Sequence, residues 1–172
     1  MVGRELFADP QAQIYAVLDG ASAPGLQDLL DKHHPENVCL YRGELEADLA
    51  AAAPYLVRLD AESPFTRSVL ANGWGHHWGV FAVAPASLIA MRKHFRKFLM
   101  VDLPDGRPVY FRYYDPRVFA LYLPSCDAEE TRAVFGPVQQ YVMEGATPGS
   151  LLRFFAGADG PRMHETELRI GA

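Results

Sequence analysis

The apolar positions fall into short runs separated by amphipathic stretches. Ile14 to Leu18 is almost wholly apolar and rich in strand formers, and Asp19-Gly20 closes it, which predicts a buried strand ended by a turn. From about Gly25 to His33, Leu26, Leu29 and Leu30 share one helical face, and His33-His34-Pro35 ends that helix because the residue before a proline disfavours helical geometry. Val38 to Tyr41 predicts a second strand. Glu44 to Ala53 is rich in Ala, Leu and Glu and predicts a helix stopped by Pro54, after which Tyr55 to Leu59 returns to a strand. Ser63-Pro64 is a helix start, with serine as N-cap and proline first in the helix; this helix runs to about Leu70 and stops at Asn72-Gly73. Trp78 to Val83 is the fourth strand.

Pro85 is expected to open the longest amphipathic helix. Leu88, Met91, Phe95, Phe98 and Leu99 form one stripe, while Arg92, Lys93, Arg96 and Lys97 cover much of the remainder. Met100 to Leu103 and Val109 to Tyr113 are β-type runs joined by the turn residues Pro104-Asp105-Gly106-Arg107, a hairpin pattern. Two short helices, Arg117 to Leu123 and Ala128 to Phe135, and two late strands, Val138 to Met143 and Leu151 to Phe155, complete the pattern. Alternation of strand and helix predicts an α/β fold, with α+β as the variant. The expected form is a single domain with a central mixed sheet flanked by helices and a C-terminal hairpin portion. The organisation expected is a lead-in over 1–13, the domain over 14–156 and a flexible tail over 157–172, where hydrophobic content falls.

Composition narrows the function classes. The 172 residues carry 16 Lys and Arg against 21 Asp and Glu, a formal charge of −5, which disfavours a nucleic-acid partner. The charge is uneven: residues 1–86 hold five basic and eleven acidic side chains, whereas residues 91–117 hold seven basic and three acidic. Cys39 and Cys126 match no metal or redox spacing and read as free thiols in a reducing compartment. No apolar run has signal-peptide or membrane-spanning length, so a cytoplasmic protein without membrane insertion is expected.

Three segments carry candidate chemistry. Asp19 stands at the carboxyl end of the first strand, where a catalytic or ligand-binding acid would sit, or where a carboxylate would cap the turn. Trp74-Gly75-His76-His77-Trp78-Gly79 offers two tryptophans for a recognition platform or for core packing. Its adjacent histidines on a strand would face opposite ways, so no metal site is assigned. Arg112-Tyr113-Tyr114-Asp115-Pro116-Arg117 suits oxyanion binding through its guanidinium forks, or an internal ion pair that fixes a strand-to-helix corner. Asp19, His77, Arg112 and Asp115 together would form the basis of a phosphoester or small-acid hydrolase if they converged. No cofactor motif is present.

An ordered series of motifs goes further. Tyr15-Ala16-Val17-Leu18-Asp19-Gly20-Ala21, Ala53-Pro54-Tyr55-Leu56-Val57, Gly73-Trp74 with His77-Trp78-Gly79, the basic helix with Leu88 and His94-Phe95-Arg96, Arg112 to Arg117, and Phe135-Gly136-Pro137 resemble, in that order, the Tap/TEC-type adaptor domain of bacterial type VI secretion. The resemblance spans about Ile14 to Val138. It implies a cytoplasmic, non-enzymatic chaperone that recognises a toxic effector and loads it onto the VgrG spike or its tip protein. Asp19, His77, Trp78, Tyr114, Asp115 and Pro116 would then be scaffold. Arg92, Lys93, Arg96, Lys97, Arg112 and Arg117 would meet an acidic patch on the partner, with Trp74, Tyr113 and Phe119 as apolar anchors. Many such adaptors carry a further C-terminal lobe, and the expectation is that this chain lacks it or receives it from another protein.

Overall fold

The computed structural model describes residues 2–9, 11–103, 105–147 and 149–168. Strand β1 (Ile14–Asp19) is buried along its whole length because both faces of the sheet are covered. Alternation of side chains sends Tyr15 and Val17 into one core and Ile14, Ala16 and Leu18 into the other. β1 lies within a seven-stranded sheet with β2 (Asn37–Cys39), β3 (Pro54–Leu59), β4 (Gly79–Val83), β7 (Gln140–Glu144), β8 (Ser150–Ala156) and β9 (Pro161–Glu167), in the order β2-β3-β1-β4-β7-β8-β9.

Helices α1 (Val2–Leu6), α2 (Leu26–His33) and α4 (Pro64–Gly73) cover one face, contributing Leu6, Leu26, Leu30, Phe65 and Val69 to its core. Helices α5 (Leu88–Phe95), α6 (Pro116–Tyr122) and α7 (Ala128–Phe135) cover the other with Met91, Phe95, Phe119, Val134 and Phe135. Helix α3 (Ala47–Ala52) lies outside both cores and buries none of its residues. The expected α/β domain, one sheet flanked by helices, is therefore present.

Its sheet is not mixed: every ladder among the described residues is antiparallel. The helical crossovers do join strands that run the same way, β1 to β2 and β3 to β4. In each case a strand of opposite sense is inserted between them, β3 in the first and β1 in the second. Local alternation specifies the crossover but not which strand fills the gap.

Three further expectations change. The basic helix ends at Phe95 rather than reaching Leu99: the N–H groups of Lys97 and Phe98 donate to carbonyls three residues back, His94 and Phe95, and the Arg96 side chain leaves the basic surface to donate to the carbonyls of Leu40, Cys39 and Tyr41 at 2.9, 3.0 and 3.0 Å. The hairpin forms as β5 (Met100–Asp102) and β6 (Pro108–Tyr110), but as a separate two-stranded sheet; Pro104 of its expected turn lies outside the described residues. Residues 161–167 are not a flexible tail. They form β9, paired with β8 over seven positions, and their side chains are mostly exposed, so strand pairing through the backbone left no apolar signal. Residues 169–172 of the expected tail lie outside the described residues.

Candidate functional site

Three carboxylates converge at the end of the sheet where β1 and β7 finish, and each is held against a basic side chain. Asp19 ends β1, and its carboxylate accepts from the Ala21 N–H at 3.1 Å, from the Ser22 hydroxyl at 2.8 Å and from the Arg112 guanidinium. The turn needs Gly20, since a Cβ there would overlap the carbonyls of Ala51 and Ala53. Asp115 caps α6, accepting from the Arg117 N–H at 3.0 Å and from its Nε and Nη2 at 3.0 and 2.8 Å, with Pro116 as the first helical residue. Glu144 ends β7 and accepts from His77 Nδ1–H at 2.5 Å and from the Gly75 N–H.

These carboxylates are 1%, 4% and 8% exposed, so ionised oxygens in this setting require the donors they have. The hydrogen bond from Arg112 to Asp19 raises the guanidinium pKa above its usual value, and Asp115 does the same for Arg117. Burial pushes the Asp115 carboxyl up, but the hydrogen bonds and charge of Arg117 outweigh it and hold the pKa below the ordinary value. Burial and the neighbouring Tyr41 raise the Tyr114 phenol well above the normal tyrosine range. The cluster ties β1, the loop before β4, the corner before α6 and the end of β7 into one hydrogen-bonded rim.

Asp19, His77, Arg112, Asp115, Pro116 and Arg117 all lie at this rim, so residues expected as scaffold (Asp19, His77, Asp115, Pro116) and residues expected to meet a partner (Arg112, Arg117) fall in one cluster. Glu144 was not singled out, although Glu144-Gly145 repeats the strand-ending pattern of Asp19-Gly20. His77 lies in the turn after α4 with φ 59°, not on a strand, and Trp78 packs over Gly73, where a Cβ would meet its ring at 2.9 Å. Trp74 is half-buried and stacks on Phe81 with ring centroids 6.2 Å apart.

Two expected surface anchors are corrected. Tyr113 and Phe119 are 1% and 2% exposed, locked in an aromatic cluster with Phe95 and Tyr141, and cannot touch a partner. Arg96 has no ion pair but is committed to carbonyls, whereas Arg92, Lys93 and Lys97 have neither an ion pair nor a carbonyl partner for their side chains among the described residues.

Beside the rim, a cleft of about 390 Å³ runs between His77, Arg117, Leu121 and Leu152. A second, larger groove of about 580 Å³ lies between Leu45, Leu49, Met100 and Tyr110. Among the described residues no group of three or more His, Cys, Asp or Glu is placed to hold a metal ion, and no helix is long and apolar enough to cross a membrane. Cys39 and Cys126 are both free.

The fold and rim together define a three-layer α/β domain whose polar end is closed by paired acidic and basic side chains. Residues 14–133 match the family described as Domain of unknown function (DUF4123), and the chain belongs to it. That family is associated with type VI secretion effectors. The match runs from β1 into α7, so β7 to β9 complete the sheet beyond it. Comparison with curated proteins and with solved structures returned no match.

Proposed function

We propose that the chain is a non-enzymatic adaptor that binds a toxic effector in the cytoplasm and loads it onto the VgrG spike, or its tip protein, through protein–protein contacts. The observation that carries this reading is a contrast between two kinds of surface. The acids and bases of the rim are spent on one another, with Asp19, Asp115 and Glu144 buried, so none is poised as a free base beside a substrate. Large apolar side chains are instead left in water, and such patches mark docking surfaces.

The convergence of Asp19 with Arg112 meets the first geometric requirement of the hydrolase reading. Burial of that carboxylate under three donors favours a structural role for the pair. Of the six basic residues expected to meet a partner, Arg92, Lys93 and Lys97 remain available for that contact, since Arg96, Arg112 and Arg117 already have partners.

The test is affinity purification of the tagged protein from its native cell, with mass spectrometry of what accompanies it. A VgrG-type spike protein together with one large effector is the expected outcome. Recovery of a small metabolite with no protein partner would overturn the proposal. Detection of the chain in the medium with the spike would make it a component of the spike instead of a loading factor.

A further inference from the structure

Five of the nine large apolar side chains exposed among the described residues, Leu49, Met100, Val101, Leu103 and Tyr110, lie on α3 and the β5–β6 hairpin. The groove between these elements has Leu45 and Leu49 on one wall and Met100 and Tyr110 on the other, over a floor that includes buried Leu99. Tyr110 is 66% exposed and leans on Tyr41, with ring centroids 5.7 Å apart, so its ring is preset for contact at little further entropic cost.

The charge of the groove is as distinctive as its apolar walls. Its lining contains Arg42 and Arg96 and no acidic residue. Arg42, Arg92 and Arg96 form no ion pair among the described residues. Burial, followed by repulsion from Arg92 and Arg42, lowers the Arg96 guanidinium pKa, so three positive charges press on one another here. A carboxylate brought into the groove relieves that repulsion.

We infer that this groove docks an acidic amphipathic helix of the effector, with apolar side chains on the face between α3 and the hairpin and carboxylates flanking them toward Arg42 and Arg92. The apolar walls come from three separate segments, the loop after β2, α3 and the hairpin, so the site reads side chains on a helix face instead of extending one strand edge. The arginines orient the helix and speed its capture, and the apolar contacts hold it. The inference rests on the adaptor reading and adds to it the surface and the chemistry of the cargo segment.

The test is quantitative capture, by the full chain carrying Tyr110→Ala or Arg42→Glu, of the effector recovered in the affinity purification above, beside wild type and a Glu129→Ala control on the exposed face of α7. A photocrosslinking residue at position 110 then maps the bound segment, and circular dichroism checks folding of each variant. Captured effector is expected to fall about tenfold or more for Tyr110→Ala and Arg42→Glu and to be unchanged for Glu129→Ala, with the crosslink falling in an acidic, apolar helix of the effector. Full capture by folded groove variants overturns the inference and leaves the adaptor reading standing. A crosslink to a second copy of this chain also overturns it, making the face a self-interface. Failure of wild type to capture any effector removes the adaptor reading and the inference with it.

Discussion

His94 gives the fold an acid-sensitive point. Its Nε2–H donates to the Val134 carbonyl at 2.8 Å, an oxygen that also accepts from the Tyr141 hydroxyl at 2.7 Å. Phe95 and Phe98 crowd the ring, with centroids 5.3 and 5.0 Å away, and Gly136 packs so closely that a Cβ there would meet it at 2.7 Å. Burial lowers its pKa from 6.5 to about 4; the bond to Val134 opposes that change and the charge of Lys97 adds to it.

The unfolded chain therefore binds a proton that the folded chain refuses. The stability this depressed base contributes is complete above the unfolded pKa of 6.5 and declines as pH falls toward 4. One pH unit of separation is worth about 1.4 kcal/mol, so the ceiling is about 3 kcal/mol, of which about 2 kcal/mol is lost between pH 7 and pH 5. Urea denaturation of wild type and His94→Gln at the two pH values isolates the effect, because other titrating groups are common to both proteins. The variant is expected to lose about 2 kcal/mol less than wild type over this interval. Parallel pH dependence of the two proteins would refute the assignment of a neutral, buried His94.

Other substitutions probe the rim and the sheet. Asp115→Ala removes a helix cap and its Arg117 partner and is expected to cost about 1–2 kcal/mol by urea denaturation at pH 7. Asp115→Asn keeps the cap and should cost under about 1 kcal/mol, since Arg117 is exposed; this charge-dependent part fades as pH falls below the ordinary carboxyl pKa of 3.8. Arg96→Ala orphans three carbonyls of the segment after β2 and should cost about 2–3 kcal/mol, whereas Arg92→Ala should stay within about 0.5 kcal/mol; equal losses would contradict the carbonyl clamp. Gly79→Ala puts a Cβ against the Val17 carbonyl between β1 and β4 and should abolish soluble, folded protein, read by circular dichroism. Truncation after Gly157 removes β9 and bares the edge of β8; aggregation on size-exclusion chromatography is expected, and a stable monomer would show that β9 is dispensable.

Much of the rim was legible because it uses local devices. Asp19-Gly20 announces a strand end, and Asp115-Pro116 announces a helix start, so the positions of both carboxylates follow from neighbours in sequence. Their partners were less legible. Arg112 meets Asp19 across 93 positions and His77 meets Glu144 across 67, and no periodicity encodes such pairings. The aromatic residues illustrate the same gap. Tyr113 and Trp74 both belong to polar, motif-like segments, yet one is sealed beneath α5 and α6 and the other sits half-buried on β4.

The sequence by itself determined the elements whose signals are short-ranged. Apolar runs gave β1, β3, β4, β7 and β8, and cap and breaker residues placed α4, α6 and α7, because strand burial and helix ends depend on residues a few positions apart. Tertiary structure decided what depends on distant neighbours. Insertion of β3 and β1 between parallel-running strands made the sheet antiparallel. The carbonyls of residues 39–41 drew the Arg96 side chain inward and took it out of the basic surface. The bare edge of β8 made a strand of the polar segment Pro161–Glu167, which had no apolar face of its own to announce it. In each case the deciding partner is a backbone or a charge far away in the chain, and hydrophobic patterning carries no record of it.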